Sequence, residues 1–312
     1  MVRVRVRGIA ATAITKLLLD KGHSIVQASK VIQERFGIPF NPAPADVTVK
    51  DGGADELVVI GFPREAETVL NDIVSEIKYV FKWHPQLNLY SIVVGRVLDI
   101  IGNECIVELP FNSKGILEKC SNRKPGELVT VSIIKPAVKP GEKIFLTRTL
   151  RVIGEYVSLI YGDHRLSISE HIRDPNRRRE LLALATSAIL GKGFGIHLRS
   201  SSAYASNEDI INEIEVLENR LKGIINKSLN VSEPSVVYDG ELVSVIGLTS
   251  PAKQKLDFIR NTVIPTIMYH HSYKTYGGTL SDLVDYTELL LDTCPRNVVS
   301  EKLMEYIVSK LY

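Results

Sequence analysis

Residues 90–101, YSIVVGRVLDII, form the first of five short apolar runs that are separated by Gly, Pro, Asn and Lys. The four runs that follow are ECIVELP (104–110), KGILEK (114–119), LVTVSIIK (128–135) and KIFLTRTLRV (143–152). Five short strands within about sixty residues are typical of a small barrel of the OB type. The sequence therefore predicts an OB-type β-barrel over residues 90–150.

The chain on both sides of this barrel alternates between strand and helix patterns. VRVRVRG (2–8) predicts a strand with valines on one face and arginines on the other, the arginine face being turned to solvent or RNA. A helix is expected from Pro63 towards Trp83. Further along, Ser206 and Asp209 form a capping-box pattern at the start of a long helix.

These patterns predict an α+β multidomain fold. Its expected parts are an N-terminal α/β domain (1–86), the OB-type barrel (90–150), a mixed α/β region (151–240) and a C-terminal mixed and helical region (241–312). A chain of 312 residues is long enough for two or three separate cores.

Composition narrows the class of protein. The formal net charge is +2, so any binding to nucleic acid must come from local patches. No apolar stretch is long enough to span a bilayer, and the charged N-terminus does not match a signal peptide, so we expect a cytoplasmic protein with no membrane partner. Cys105, Cys120 and Cys294 are widely spaced, odd in number and without a CxxC pair, which predicts buried or incidental thiols and neither a disulfide framework nor a zinc site.

The predicted barrel carries candidates for RNA binding. Barrels of this type stack bases on aromatic side chains, while lysines and arginines contact the backbone. The candidates are Tyr90, Arg96, Phe111, Lys114 and Arg148. The alternative is that the two aromatic residues simply pack at the rim of the barrel.

A second candidate site lies in GFGIHLRSSSAYASNED (193–209). Here a strand-like run ends in Arg199, and serines follow before the helix start. A guanidinium, hydroxyls and free backbone N–H groups together suit phosphate oxygens, so Arg199, Ser200 and Ser201 are predicted phosphate ligands. The alternative is a surface ion pair of Arg199 with a nearby acid such as Glu208 or Asp209.

The order of these segments resembles that of the ribonuclease E/G family. The barrel is followed by LTRTLRVIGEYVSLIYG (146–162) and then by KGFGIHLRSSSAYASNEDIINEIEVLENRL (192–221). In that family an Arg-Thr pair after an apolar strand helps to hold the 5′ phosphate of RNA; Arg199 and Ser200 match this pair, with Ser in place of Thr. The resemblance implies that residues 151–240 are a sensor-type region.

The N-terminal α/β domain and MYHHSYKTYGG (268–278) look more like the archaeal branch of this family, whose members bind AU-rich RNA loops. The implied partners are single-stranded or loop regions of RNA, with ribosomal RNA precursors or the ribosome as candidates. The implied function is an endoribonuclease that acts on AU-rich or structured RNA in ribosomal RNA maturation or decay.

One departure from the family leaves a second function open. Bacterial members cut RNA with a Mg²⁺ ion held by aspartates in motifs resembling AIDIN and IDFIDM, and neither motif occurs here. Archaeal relatives commonly continue into a further C-terminal domain, which we expect this chain to lack. A non-catalytic RNA-binding or ribosome-associated factor is therefore the alternative.

Two groups of residues remain as catalytic candidates. His270, His271 and Lys274 could cleave RNA without a metal, because two groups of near-neutral pKa can move the 2′-hydroxyl and leaving-group protons; the alternative is a structural role. Acids at helical spacing could instead bind Mg²⁺, although a solvated helix face explains them equally well. These acids are Asp282, Asp285 and Glu288. The run Arg177–Arg179 could contact phosphates or simply follow a helix start.

Overall fold

The computed structural model describes residues 1–120, 122–263 and 280–309. Within these ranges the predicted α+β multidomain fold is confirmed, with three sheets, an OB-like barrel and C-terminal helices. The helices are α1 Ala11–Asp20, α2 Lys30–Phe36, α3 Pro63–Ile77, α4 Pro175–Ile189, α5 Asn207–Leu229, α6 Ser250–Val263, α7 Leu280–Thr293 and α8 Arg296–Ser309. None of the helices in these ranges is long and apolar enough to cross a membrane.

The strands are β1 Arg3–Val6, β2 Ser24–Ile25, β3 Val47–Asp51, β4 Glu56–Gly61, β5 Val80–Trp83, β6 Ile92–Ile101, β7 Glu104–Leu109, β8 Ser113–Glu118, β9 Leu128–Lys135, β10 Ile144–Thr147, β11 Leu150–Ile153, β12 Val157–Tyr161, β13 Leu166–Ile168, β14 Phe194–Leu198, β15 Ser235–Tyr238 and β16 Leu242–Leu248. They form three sheets, which are called here the first sheet, the barrel and the third sheet.

The first sheet has the strand order β2-β1-β3-β4-β16-β5. Its strand β1 confirms the alternation expected from the sequence, because Val4 and Val6 are buried while Arg3 and Arg5 are partly exposed. The valine face packs against α1, α3 and α6 in one apolar core. Strand β16 and helix α6 come from residues 242–263, so a segment late in the sequence completes a sheet that the N-terminal residues begin. The division of the chain into four domains stays a prediction.

Helix α3 is shorter than the sequence predicts. We expected it to run towards Trp83, but it ends at Ile77. Lys78 and Tyr79 then adopt positive φ angles of 44° and 48°, which turn the chain out of the helix. Residues 80–83 form β5, which pairs antiparallel with β16 at the edge of the first sheet. The prediction was wrong because this partner lies far away in the sequence.

The barrel confirms the OB-type prediction. Strands β6, β7, β8, β10 and β9 follow one another, and pairing between β6 and β9 closes the ring. The prediction of unpaired cysteines was wrong, because Cys105 in β7 and Cys120 after β8 form a disulfide with Cα atoms 5.6 Å apart. The β7–β8 hairpin brings the two residues together, and both are buried.

The third sheet has the order β11-β12-β14-β13 and packs against α4 and α5. The capping box at the start of α5 is confirmed, since Ser206 and Asp209 each bond to the other's backbone. Between β14 and α5 the serines form a short 3₁₀ turn over Ser200–Ala203. Arg199 therefore lies at the junction of a buried strand and this turn.

Candidate nucleic-acid interface

A cleft lies between the first and third sheets, and it joins residues that are far apart in the sequence. Arg5 of β1 donates from its guanidinium to the hydroxyl of Ser200, with 2.6 Å between Nη1 and Oγ. Arg199 lines the same cleft, whose volume is about 170 Å³. Further polar lining comes from Gln27, Thr48, Ser169, His171, His197 and Ser201, and one acid, Glu155, also lines the cleft and pairs with Arg3. The cleft thus brings two arginines and several hydroxyls together.

The backbone and one acid hold Arg199 in place. Its N–H donates to the carbonyl of Tyr156, and its guanidinium Nη1 donates to the carbonyl of Gly154 at 3.0 Å. Nη2 lies 3.0 Å from Oε1 of Glu241, just before β16. The acid beside Arg199 is therefore Glu241 and neither Glu208 nor Asp209, the two that the sequence suggested.

A partly buried carboxylate supports the segment that holds Arg199. Glu213 on α5 accepts from the backbone N–H groups of Glu155, Tyr156 and Val157 at 2.5, 2.7 and 2.8 Å. Burial raises the pKa of Glu213 in spite of these bonds. Gly154 leaves room for this carboxylate, because a Cβ there would lie 2.5 Å from the Glu213 carboxyl carbon. Glu213 thereby fixes the loop whose carbonyl orients Arg199.

The surroundings of Arg5 destabilise its charged form. Burial, together with the charges of Arg7 and Arg199, lowers the pKa of Arg5 to about 10. Its Nε is buried and has no hydrogen-bond partner among the residues that the structure describes. A buried N–H without a partner and a second cation nearby both cost free energy, and a bound anion would offset both.

The imidazole of His197 also lines the cleft. Burial lowers the pKa of His197, and the charges of Arg151 and Arg199 lower it further. The ring is therefore neutral at pH 7. Nδ1 lies 2.9 Å from the hydroxyl of Ser167, so if Nδ1 accepts that proton, Nε2 carries the hydrogen and can donate.

The three serines of the turn have different roles. Ser201 donates its hydroxyl proton to the carbonyl of Glu155, and Ser202 donates to the carbonyl of Arg199 at 2.6 Å. The Ser200 hydroxyl accepts from Arg5 and keeps its own proton available. Of the predicted serine ligands, Ser200 is thus the better placed to donate to an anion, while the role of Ser201 stays a prediction.

Comparison with known proteins assigns the family. The model of the ribonuclease E/G family matches residues 152–259, which include Arg199, Ser200 and Glu241. A protein from Staphylothermus marinus named "Probable ribonuclease FAU-1" is 50% identical over 309 residues, which cover 98% of this chain and 65% of that protein. The chain is a ribonuclease E/G-like protein. The resemblance seen in the sequence is thereby confirmed.

Other relatives of this ribonuclease E/G-like protein carry the same name. The one from Hyperthermus butylicus is 38% identical over 289 residues, covering 92% of this chain and 61% of the relative. The one from Pyrococcus horikoshii is 33% identical over 316 residues, covering 99% and 65%. The chain thus spans less than two thirds of the length of these relatives.

The barrel of this ribonuclease E/G-like protein brings only some of its predicted residues together. Strand register places Arg96, Glu108 and Lys114 in one row, with Glu108 between the two cations and 3.8 Å from Arg96. Phe111 is 64% exposed in the adjacent β7–β8 turn. Arg148 is exposed beyond the opposite end of β8, since β10 runs parallel to it.

Tyr90 lies at the start of the barrel rather than in this row. It is half-buried, and the Arg151 guanidinium lies over its ring at 4.5 Å from the centroid. This contact stabilises Arg151 close to His197, whose pKa Arg151 lowers.

The remaining predicted residues are spread over other parts of the chain. His270, His271 and Lys274 lie outside the described residues. The three acids of α7 are exposed on the helix surface: Asp282, Asp285 and Glu288. Across residues 1–120, 122–263 and 280–309, no group of three His, Cys, Asp or Glu side chains is arranged to hold a metal ion.

The arginine run near the start of α4 makes internal contacts. Arg177 donates to the carbonyls of Ser202 and Ala205, and Arg178 donates to those of Ser169 and Ile172. These bonds fasten the 3₁₀ turn and the loop after β13 to α4. The two arginines thus support the wall of the cleft.

Proposed function

We propose that this protein binds RNA and recognises a 5′ monophosphate in the cleft between the first and third sheets. The observation that carries the proposal is the convergence of Arg5, Arg199 and the Ser200 hydroxyl around one polar cavity. A terminal monophosphate carries close to two negative charges at pH 7, and its oxygens accept several charge-assisted hydrogen bonds. A 5′ hydroxyl offers no anion to these groups.

The electrostatics of the cleft support the same ligand. Arg5 has a buried N–H without a partner, and its charge lies close to that of Arg199. A phosphate would accept a hydrogen bond from this N–H and would reduce the repulsion between the two cations. Glu241 pairs with Arg199 in the absence of ligand, so a phosphate must compete with this carboxylate for the guanidinium.

We further propose that the protein acts as an endoribonuclease on AU-rich or structured RNA. The name of the relatives, "Probable ribonuclease FAU-1", supports this activity. The proposed role of this activity is ribosomal RNA maturation or decay. The proposed partners are ribosomal RNA precursors or the ribosome, and the proposed location is the cytoplasm. The second candidate is a non-catalytic RNA-binding or ribosome-associated factor, which the missing AIDIN- and IDFIDM-like motifs favour.

The phosphate proposal is tested by an Arg199→Gln variant and RNAs that differ only at the 5′ end. Losing a charge-assisted hydrogen bond should weaken binding of 5′-monophosphorylated RNA by about 1.5 to 3 kcal/mol and leave 5′-hydroxyl RNA nearly unchanged. The matched control is Arg165→Gln, which also loses an ion pair, with Asp163, but lies outside the cleft lining. Equal weakening of both RNAs by Arg199→Gln would contradict the proposal.

The activity is tested by incubating the protein with an AU-rich hairpin, once with Mg²⁺ and once with a chelator. Discrete fragments that persist in chelator but vanish in the His270→Ala, His271→Ala double variant would support metal-free cleavage. Fragments that vanish in chelator would direct attention to Asp282, Asp285 and Glu288. Binding without fragments under either condition would support the non-catalytic alternative.

A further inference from the structure

One face of the first sheet continues from the cleft to the edge strand β5. The strand register aligns Arg5 with Thr48 on β3, and two positions further along it aligns Lys50 with Val58 on β4. Val58 is level with Val245 on β16, and Val245 is level with Trp83 on β5. Residues level across paired strands share a face, so Trp83 and Arg5 lie on the same side of the sheet, opposite the helices.

Two aromatic rings lie on this face of β5. Phe81 and Trp83 are stacked, with centroids 5.7 Å apart and ring planes 13° from parallel. Phe81 is 61% exposed. Gly247 on β16 leaves room for the indole, since a Cβ there would lie 2.8 Å from the Trp83 ring. We call this pair the β5 platform.

A positive charge lies beside the β5 platform. The ammonium of Lys139, on the loop between β9 and β10, lies 5.4 Å from the Trp83 ring centroid, and Lys78 is exposed just before β5 in the sequence. Lys139 also pairs with Glu56. Exposed aromatic rings beside lysines are the features with which proteins stack bases of single-stranded nucleic acid and contact its backbone.

We propose that the β5 platform stacks bases of single-stranded RNA downstream of a 5′ end held in the cleft. This inference rests on the proposed function. Four strand spacings separate β1 from β5, or about 19 Å at ~4.8 Å each, so a strand several nucleotides long can reach both places. The cleft recognises the end of the RNA, and the platform binds the following bases without selecting their sequence.

The test uses the full chain and the intrinsic fluorescence of Trp83, which is the one tryptophan in the sequence. A 5′-monophosphorylated octauridylate should quench this fluorescence as it binds. Phe81→Ala should weaken binding of the octanucleotide at least about fivefold, which is the lower end for one lost stack. The matched control is Phe258→Ala on α6, because Phe258 is 63% exposed and also lies beside a lysine, Lys255, but α6 packs against the opposite face of the first sheet.

Two further measurements distinguish base stacking on Phe81 from other effects of its replacement. Phe81→Leu retains an apolar side chain and removes the ring, so it should weaken binding of the octanucleotide as much as Phe81→Ala does. A dinucleotide with the same 5′ phosphate is too short to reach the platform and should bind the original chain and both Phe81 variants equally. Anisotropy of labelled RNA measures all affinities independently of Trp83.

The outcomes separate this inference from the proposed function. The platform proposal would be overturned if the octanucleotide bound with unchanged Trp83 fluorescence, or if it bound Phe81→Leu with full affinity. Either result would leave the cleft proposal standing. Absence of any RNA binding by the original chain would overturn both.

Discussion

Replacing Arg5 by Met should stabilise the protein while weakening its binding to RNA. Lowering the pKa of Arg5 from its usual range to about 10 costs about 3.5 kcal/mol, at about 1.4 kcal/mol for each pKa unit. The variant loses the hydrogen bonds to Ser200 and Gln27, worth about 1 kcal/mol each. The net expectation is a free energy of unfolding about 1.5 kcal/mol higher, measured by urea denaturation.

The same Arg5→Met variant should bind 5′-monophosphorylated RNA about 10- to 150-fold more weakly, which corresponds to about 1.5 to 3 kcal/mol for a lost charge-assisted bond. Binding of 5′-hydroxyl RNA should change little. A loss of several kcal/mol in stability, or equal weakening of both RNAs, would refute the reasoning that Arg5 is retained for an anion.

Arg3 provides the control within the same strand. Its guanidinium lies 2.5 Å from Asp46 and 2.6 Å from Glu155, and the bond to Asp46 is the main cause that raises the pKa of Arg3. Arg3→Met should therefore destabilise the protein, which urea denaturation measures. The two arginines thus differ in the sign of their effect on stability.

Three further predictions concern the barrel, the disulfide and the cleft histidine. Replacing Arg96, Lys114 and Arg148 together should reduce the slope of log affinity against log salt by about 2, at about 0.7 for each phosphate contact to a single strand; an unchanged slope would place RNA elsewhere. Cys105→Ser should lower the free energy of unfolding by about 3 kcal/mol, since the disulfide spans 15 positions, and the loss should match that caused by reductant in the original chain. Because the folded state lowers the pKa of His197 below its usual 6.5, the unfolded chain takes up a proton first, so stability should fall as the pH drops through about 6.5; His197→Gln should flatten this dependence in urea titrations.

Local patterns were sufficient for much of the fold. The alternation in β1, the short strands of the barrel and the capping box at Ser206 each depend on neighbours a few residues away. Strand β5 was missed because Val80–Trp83 becomes a strand through pairing with β16, more than 160 positions later in the chain. The disulfide was missed because the β7–β8 register, which brings its two cysteines together, is a property of the folded hairpin.

The candidate site shows the same division. Arg199 and Ser200 could be predicted because a cation and a hydroxyl follow one apolar strand directly. The alternation in β1 placed Arg5 on an arginine face, but nothing local indicates that it meets Ser200 across 195 positions. Glu241 gave no signal either, since it reaches Arg199 only after β16 joins the first sheet.

The most direct test of the account compares two RNAs of identical sequence that end in a 5′ monophosphate or a 5′ hydroxyl, with the unmutated chain at fixed ionic strength. The cleft formed by Arg5, Arg199 and Ser200 predicts that the monophosphorylated RNA binds at least about tenfold more tightly, as expected for one charge-assisted hydrogen bond. Equal affinity for the two RNA ends would contradict the central claim.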